Sequence, residues 1–132
     1  MTLLLDTHVL VWWLLGHPLP HPAQTEAMQR AEKSGEAFGL SAISLWELAR
    51  LIEKKRLAIR AAPEVLFEQI EGHPQLELLP LTPRIALEAS RLGSEFSKDP
   101  ADRIIAATAR VHGLRLVTAD ETLRRSSAIA VV

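Results

Sequence analysis

The sequence contains no cysteine. A disulfide framework, a thiolate zinc site and a cysteine nucleophile are therefore excluded, and the fold does not depend on the redox state of its compartment. The chain also lacks a strong excess of charge, since 15 basic and 16 acidic side chains leave a net charge of −1. That balance does not indicate a nucleic-acid-binding domain, because such domains are often strongly basic.

Long uninterrupted apolar runs are missing as well. The first residues, MTLLLDTHVLVWWLLG, are apolar enough for a signal peptide, but they lack a basic start and are interrupted by Asp6 and His8. We interpret them as a strand followed by a helix, not as a targeting or membrane-spanning segment. The 132 residues, 48% hydrophobic and 23% charged, predict one domain over residues 1–132, with a cytoplasmic location as the default.

Short apolar runs alternate with helical patterns along the chain, which predicts an α/β sandwich around a parallel sheet. Strands are predicted at 2–5, 37–40, 76–79 and 114–117, with 129–132 as an edge strand, and helices at 7–15, 22–33, 44–56, 63–70, 83–92 and 100–112. The last of these helices has the clearest boundaries. Asp99 is a typical N-cap, Pro100 suits the first helical position, and Gly113 ends the helix.

Only four of the 16 acidic residues are aspartates, and each lies at the boundary of a predicted element. Ligands of parallel α/β sheets bind outside the carboxyl ends of the strands, where loops lead into helix N-termini. We therefore expect four acids at such places to converge on one edge of the sheet. These acids are Asp6, Glu47, Asp102 and Asp120.

Each acid has a structural explanation when it is taken alone. Asp6 and Asp120 could be N-caps, while Glu47 and Asp102 stand three residues after Ser44 and Asp99, as in capping boxes. Capping does not explain convergence, because two unit charges ~4 Å apart repel by about 4 kcal/mol at an effective dielectric of ~20. A divalent cation would explain the convergence, because it cancels the negative charges, and all-oxygen ligands favour Mg²⁺ or Mn²⁺. Such a site fits metal-assisted phosphodiester hydrolysis.

A cluster of basic residues is the second feature that stands out. Five of the 15 basic residues fall within eleven positions: Arg50, Lys54, Lys55, Arg56 and Arg60. A local positive face attracts phosphates even on a nearly neutral protein, so this run is a candidate contact for RNA or for an acidic partner segment. An ordinary solvated helix end is the alternative.

Other side chains near the acids are weaker candidates. Thr7 and Thr118 flank the expected site and could hydrogen-bond a carboxylate or a water, or could equally be β-branched filler at strand ends. Arg103 could hold a phosphate or pair with an acid. His8 could touch a metal or a phosphate, but we interpret it as a packed residue of an apolar helix. Trp46 could stack on a base, although its apolar neighbours favour a place in the core or in a subunit interface.

Four segments together resemble the PIN domain and, within it, the VapC-type toxins of bacterial toxin–antitoxin pairs. The segments, in the order the family has them, are LLLDTHVLVWWL, SAISLWELARL, DPADRIIAATA and GLRLVTAD. The resemblance implies a PIN-like three-layer sandwich, with a central parallel sheet of four to five short strands flanked by helices. It also implies a Mg²⁺-dependent endoribonuclease, with Mn²⁺ as the other metal, whose catalytic and metal-binding acids are Asp6, Glu47, Asp102 and Asp120.

The resemblance has further implications for partners and for Asp99. It implies a homodimer that cleaves RNA and is silenced by a small antitoxin. Asp99 is placed outside the metal ligands, because the family's acid matches the residue two before Ile104, which is Asp102. Two alternatives stay open: a catalytically silent domain that binds RNA or protein, and a phosphatase with Asp6 as nucleophile, which would expect a second acid where His8 stands.

Overall fold

The computed structural model describes residues 1–132. Its four strands are β1 (Leu3–Leu5), β2 (Phe38–Ser41), β3 (Leu76–Leu79) and β4 (Arg115–Val117). Its seven helices are α1 (Thr7–Leu15), α2 (Pro22–Lys33), α3 (Ala42–Glu53), α4 (Pro63–Glu71), α5 (Pro83–Ser90), α6 (Pro100–His112) and α7 (Glu121–Arg125). None of these helices is both long enough and apolar enough to cross a membrane.

All four strands pair in parallel, in the order β3-β2-β1-β4. The predicted parallel α/β sandwich is therefore confirmed. The order of strands reverses at β1, which has β2 on one side and β4, the last strand of the chain, on the other. Such a switch point opens a crevice outside the carboxyl ends of the two strands, and this is where ligands of open parallel sheets bind.

Helices cover both faces of the sheet, which produces three layers. Side chains alternate along β1, so Leu3 and Leu5 join one core cluster and Leu4 the other. The first cluster contains buried residues of α1, α2, α3 and α4, and the second contains those of α6 and α7. Because both faces are covered, the central strand β1 is apolar throughout, whereas the edge strands β3 and β4 each contain one charged residue, Glu77 and Arg115.

Most element boundaries lie within one residue of those predicted, but α3 and α5 end at Glu53 and Ser90, three and two residues earlier than expected. Helix α3 begins at Ala42 and not at residue 44, because Ser41 both ends β2 and caps the helix by accepting a hydrogen bond from the Ile43 amide. The segment 129–132 forms no regular edge strand; it pairs with β4 only through one isolated parallel bridge, between Leu116 and Val131. Helix α7 was not predicted, because five residues are too few for a helical period to be recognised.

Candidate metal centre

The carboxyl ends of β1 and β4 bring Asp6 and Thr118 side by side. The Asp6 amide donates to the carbonyl of Val117 at 3.0 Å, so the pairing of the two strands continues to the first residue beyond β1. Asp6 is only 8% exposed and Thr118 is fully buried. A carboxylate is therefore anchored at the bottom of the crevice between the two strands.

Both oxygens of the Asp6 carboxylate accept hydrogen bonds. The Thr7 amide donates to Oδ1 at 2.9 Å, and the Thr118 hydroxyl donates to Oδ2 at 2.6 Å. The Thr118 oxygen in turn accepts from the Asp120 amide at 3.1 Å, and the buried Gln24 amide donates to the Thr118 carbonyl at 2.7 Å. These contacts fix the orientation of Asp6 and connect it to the loop that carries Asp120.

The N-terminus of α6 supplies two further acids. Asp99 caps this helix through one oxygen, Oδ1, which accepts from the amides of Ala101 and Asp102 at 2.8 and 3.4 Å. Asp102 does not return the bond as a capping box would. Its Oδ2 accepts instead from the Ser97 hydroxyl at 2.8 Å, while Ser97 Oγ accepts from the Asp99 amide at 3.2 Å. The Asp102 carboxylate is thus positioned by Ser97 and not by the amide of the N-cap residue.

Glu47 also lacks the capping role that its spacing from Ser44 allowed. Because Ser41 caps α3, Glu47 lies in the second turn of the helix, and the buried Ser44 hydroxyl has no hydrogen-bond partner. The Thr7 hydroxyl faces Glu47 closely enough to lower the pKa of that carboxyl, without completing a hydrogen bond of standard geometry. Glu47 is therefore a half-buried acid that does not cap α3.

All four acids predicted to converge line one cavity of about 360 Å³. The complete lining is Asp6, His8, Trp12, Glu47, Asp99, Asp102, Ala119 and Asp120. Asp99, which the sequence argument placed outside the metal ligands, belongs to this cavity as well. One oxygen from each of Glu47, Asp99 and Asp102 lies within 4.8 Å of the others. Asp99 is therefore a further candidate ligand, since an N-cap uses one carboxylate oxygen and leaves the second available.

Burial is the largest influence on the ionisation of Asp6 and Glu47. Desolvation raises the pKa of Asp6, and the hydrogen bonds from Thr118 and Thr7 oppose that rise. Desolvation also raises the pKa of Glu47, and the negative charges of Asp6 and Asp99 add to the effect. Both groups resist ionisation in the absence of a compensating positive charge.

Asp102 has the clearest shift. Burial raises its pKa to about 6, the Ser97 hydrogen bond opposes the rise, and the charges of Asp99, Asp6 and Asp120 reinforce it. Carboxylates that repel one another in this way bind a cation in competition with protons.

The residues of the cavity fit a divalent cation. No lysine or arginine lines it, and His8 is the only basic side chain beside its five carboxylates. All the anionic ligand atoms are oxygens, which hard cations such as Mg²⁺ prefer. The 4.8 Å spread of the Glu47, Asp99 and Asp102 oxygens is close to the roughly 4 Å between two oxygens on opposite sides of one Mg²⁺.

The structure also locates three other residues considered from the sequence: Arg103, His8 and Thr118. The Arg103 guanidinium does not reach the cavity; it donates to the carbonyls of Ala89, Gly93 and Ser97 at 3.1, 3.0 and 3.2 Å and so holds the loop before α6. His8 is exposed and lines the acidic cavity, so the interpretation of it as a packed residue is wrong. Thr118 bonds a carboxylate, as the sequence argument allowed.

Sequence reasoning missed two supporting side chains, Ser97 and Gln24. A glutamine at a position of α2 that faces the core could have been noticed as a buried polar residue, which needs a partner. Ser97 had no such signal, because its role depends on the path of the loop between α5 and α6.

The basic run divides at Lys55. Arg50, Lys54 and Arg56 line a second cavity that adjoins the acidic one, together with the exposed ring of Trp46, whereas Lys55 does not line it. The Arg50 guanidinium lies 4.7 Å from the centre of the Trp46 ring.

The fold and the site define a class of protein: a small parallel α/β domain with a cluster of carboxylates at the switch point of its sheet. The chain belongs to the PIN domain family, whose model matches residues 3–128. This assignment covers all of the strands and helices.

Individual relatives agree with the family. The chain is 38% identical over 123 residues to ribonuclease VapC22 from Mycobacterium tuberculosis, a match that covers 93% of this chain and 90% of that protein. A DNA-bound VapBC structure from Salmonella typhimurium has a TM-score of 0.70 at 23% identity, covering 100% of this chain and 97% of the other. The FitAcB structure from Neisseria gonorrhoeae has a TM-score of 0.66 at 27% identity, covering 98% and 96%.

Proposed function

We propose that this chain is a metal-dependent endoribonuclease, the toxin component of a toxin–antitoxin pair, and that residues 1–132 form its single PIN domain. The observation that carries the proposal is a cavity lined by five carboxylates with no lysine or arginine to balance them. Kinship to a ribonuclease at 38% identity over nearly the whole chain supports the reaction and the substrate class.

Asp6 and Asp102 are the main metal ligands in this proposal, with Glu47 and Asp120 completing the set and Asp99 added by its geometry. The chemistry that Mg²⁺ supplies when bound is activation of a water and neutralisation of charge on the phosphate. Thr118 and Thr7 orient Asp6, and Ser97 orients Asp102. Mn²⁺ is the alternative ion, because the same oxygen ligands suit it.

Kinship to VapC-type toxins also supports the proposed partners. We expect a homodimer in the cytoplasm, where its RNA substrate is made, and a small antitoxin protein that blocks the acidic cavity. A catalytically silent binding domain is the competing function. It has no need for five carboxylates around one cavity, because their mutual repulsion lowers stability without aiding the binding of an anion.

The decisive experiment incubates the purified protein with total RNA, with and without Mg²⁺ or Mn²⁺, and sequences the new 5′ ends. Asp6→Asn removes one carboxylate of the cavity, while Glu64→Gln removes an equal charge from an exposed position of α4. We expect metal-dependent fragments from the wild type and from Glu64→Gln, and none from Asp6→Asn with its fold verified by circular dichroism. Equal cleavage by Asp6→Asn would refute the assignment of the site. Absence of cleavage together with absence of metal binding in calorimetry would favour the silent domain.

A further inference from the structure

A second cavity, of about 280 Å³, lies directly beside the acidic one. The two share a wall, because Glu47 and Asp99 line both. The charge reverses across this wall, since the far side of the second cavity carries Arg50, Lys54 and Arg56. We call it the basic cavity. Its volume is near the lower end of small-molecule sites, which run from roughly 300 to 1,000 Å³.

One face of α3 supplies most of the basic cavity. Trp46, Arg50 and Lys54 follow one another at intervals of four residues, so they lie in one row along the helix. The Trp46 side chain is 54% exposed, and the Arg50 guanidinium lies over its ring. An indole and a guanidinium in contact form a flat cationic surface, and both groups stack on nucleobases in single-stranded complexes.

The cations of this cavity have no acidic partners. None of the four salt bridges in the structure involves Arg50, Lys54 or Arg56, and all three residues are exposed. A solvated helix end would account for Lys54, but not for Arg56, which lies beyond the helix. A turn at Lys55, with φ of 56°, reverses the chain so that the Arg56 amide donates to the Leu51 carbonyl at 2.9 Å. The turn brings Arg56 back to the cavity.

We propose that the basic cavity binds the nucleotide next to the scissile phosphate of a single-stranded RNA, with its base stacked on Trp46 and Arg50. Lys54 and Arg56 hold the flanking phosphates. The inference rests on the proposed nuclease function, and it identifies the surface over which the RNA continues beyond the acidic cavity.

Continuity of the two cavities and the reversal of charge favour this occupant. A polymer that presents one phosphate to the carboxylates must continue over the neighbouring surface, and its other phosphates would be repelled by the acids. The basic cavity supplies the opposite charge at the nearest available place. An acidic protein segment could pair with the cations, but its carboxylates would make no stacking contact with the exposed surface of Trp46 and Arg50.

The test measures binding of a fluorescent single-stranded RNA oligonucleotide of mixed sequence by anisotropy, over a series of salt concentrations with Mg²⁺ present. All variants carry Asp6→Asn, so that cleavage does not interfere. Trp46→Ala is expected to weaken binding by roughly 5- to 150-fold, the range of one base stacked on one aromatic side chain, and Trp46→Phe to recover part of that loss.

Lys54 and Lys55 provide a matched pair, because they are adjacent and equally charged but only Lys54 lines the cavity. Lys54→Gln is expected to reduce the slope of log affinity against log salt by about 0.7, the value for one phosphate contact of a single strand. Lys55→Gln is expected to keep the slope of the parent. Circular dichroism verifies that every variant is folded.

Unchanged RNA affinity in Trp46→Ala, or equal effects of Lys54→Gln and Lys55→Gln, would overturn the proposal. The same holds if these variants lose a co-expressed protein partner while RNA affinity stays the same, since the cavity would then be a protein contact. Cleavage by the protein without Asp6→Asn separates the two proposals. Metal-dependent cleavage with indifferent RNA affinities refutes only the basic cavity. The expected affinity pattern without any cleavage supports the binding of single-stranded RNA in the basic cavity, but refutes the nuclease and with it the position next to a scissile phosphate.

Discussion

The two cavities that share Glu47 and Asp99 are built in opposite ways. In the acidic cavity the deepest carboxylate, Asp6, is 8% exposed and has both oxygens bonded, and Asp102 is oriented by Ser97. In the basic cavity the three basic side chains, Arg50, Lys54 and Arg56, are exposed and form no salt bridge. One site is fixed by its surroundings and the other is free to adjust.

This difference corresponds to two physical tasks. Holding a divalent ion requires oxygens in a set geometry, and the repulsion among those oxygens opposes folding until the ion binds. Capturing a polymer requires only favourable contacts, each of modest energy, which flexible cations supply without prior ordering. Changes in the acidic cavity should therefore alter both activity and stability, whereas changes in the basic cavity should alter mainly affinity.

The largest effect is expected from Asp102→Asn. The amide keeps the shape of the side chain but loses its charge, so RNA cleavage should fall by more than about 100-fold, beyond the 10–100-fold typical of residues that only support a metal ligand. Cleavage rates on total RNA at saturating Mg²⁺ measure this. Asp99→Asn is the comparison variant. Because Asn also caps helices well, any loss of cleavage in this variant reports the lost carboxylate oxygen and not a lost cap. A near-normal rate in Asp102→Asn would remove Asp102 from the metal ligands.

A smaller loss is expected from Thr118→Val, which keeps the shape but removes the hydroxyl. Asp6 then loses its 2.6 Å bond and the Asp120 amide loses its acceptor. Cleavage or metal affinity should fall by about 10–100-fold, and the free energy of unfolding by about 1–3 kcal/mol. Calorimetry with Mn²⁺ and urea unfolding measure the two quantities. Thr118→Ser restores a hydroxyl, so a variant no better than Thr118→Val would show that the lost bond is not the cause.

The pH dependence of metal-free stability gives a subtler test of the acidic cavity. The pKa of Asp102 is raised from 3.8 to about 6 by folding, so the folded state holds this proton more tightly than the unfolded chain. The resulting stabilisation is present below about pH 4 and is lost as pH rises through about 6.

Asp102→Asn should therefore gain stability relative to the wild type between these pH values and keep a constant advantage above them. Urea unfolding in the presence of a chelator, at a series of pH values, measures the difference. Saturating Mg²⁺ should reverse it, because the wild type binds the ion more tightly than the variant. A difference that does not vary with pH would show that folding leaves the Asp102 pKa unchanged.

Local sequence signals were sufficient for most of the fold. Asp99, Pro100 and Gly113 marked the bounds of α6, and the structure has them as N-cap, first residue and left-handed C-cap. The start of α3 could not be chosen from sequence, because Ser41 and Ser44 are both good N-caps and only the end of β2 decides between them. The expected strand at 129–132 had the right composition, but strand pairing is decided by tertiary contacts.

Convergence of the four acids could be predicted because a parallel sheet collects the ends of its strands at one edge. The directions in which individual side chains point could not be predicted from the sequence. Arg103 follows an acid in sequence, yet three carbonyls of the loop before α6 bind its guanidinium, and nothing in the sequence indicates that those carbonyls lie nearby. The same loop path makes Ser97 a partner of Asp102. Side-chain roles that depend on irregular segments are thus the part that required a structure.

Lys55→Gly should produce the smallest effect. It tests whether the turn between Lys54 and Arg56, two residues of the basic cavity, contains backbone strain. Lys55 has a φ of 56°, in the left-handed region, which costs a residue with a side chain roughly 1–2 kcal/mol. Glycine removes this cost but loses roughly 0.5–1 kcal/mol to its greater freedom in the unfolded chain, so the free energy of unfolding should rise by about 0.5–1 kcal/mol. Urea unfolding measures the change, with Lys54→Gly, at an ordinary helical φ, as the control that should be destabilised. Since Lys55 does not line the cavity, RNA affinity should change little. A fall in stability would mean that the Lys55 side chain makes a contact that outweighs its strained backbone, and the basic cavity would then be less free to adjust than the exposure of its residues indicates.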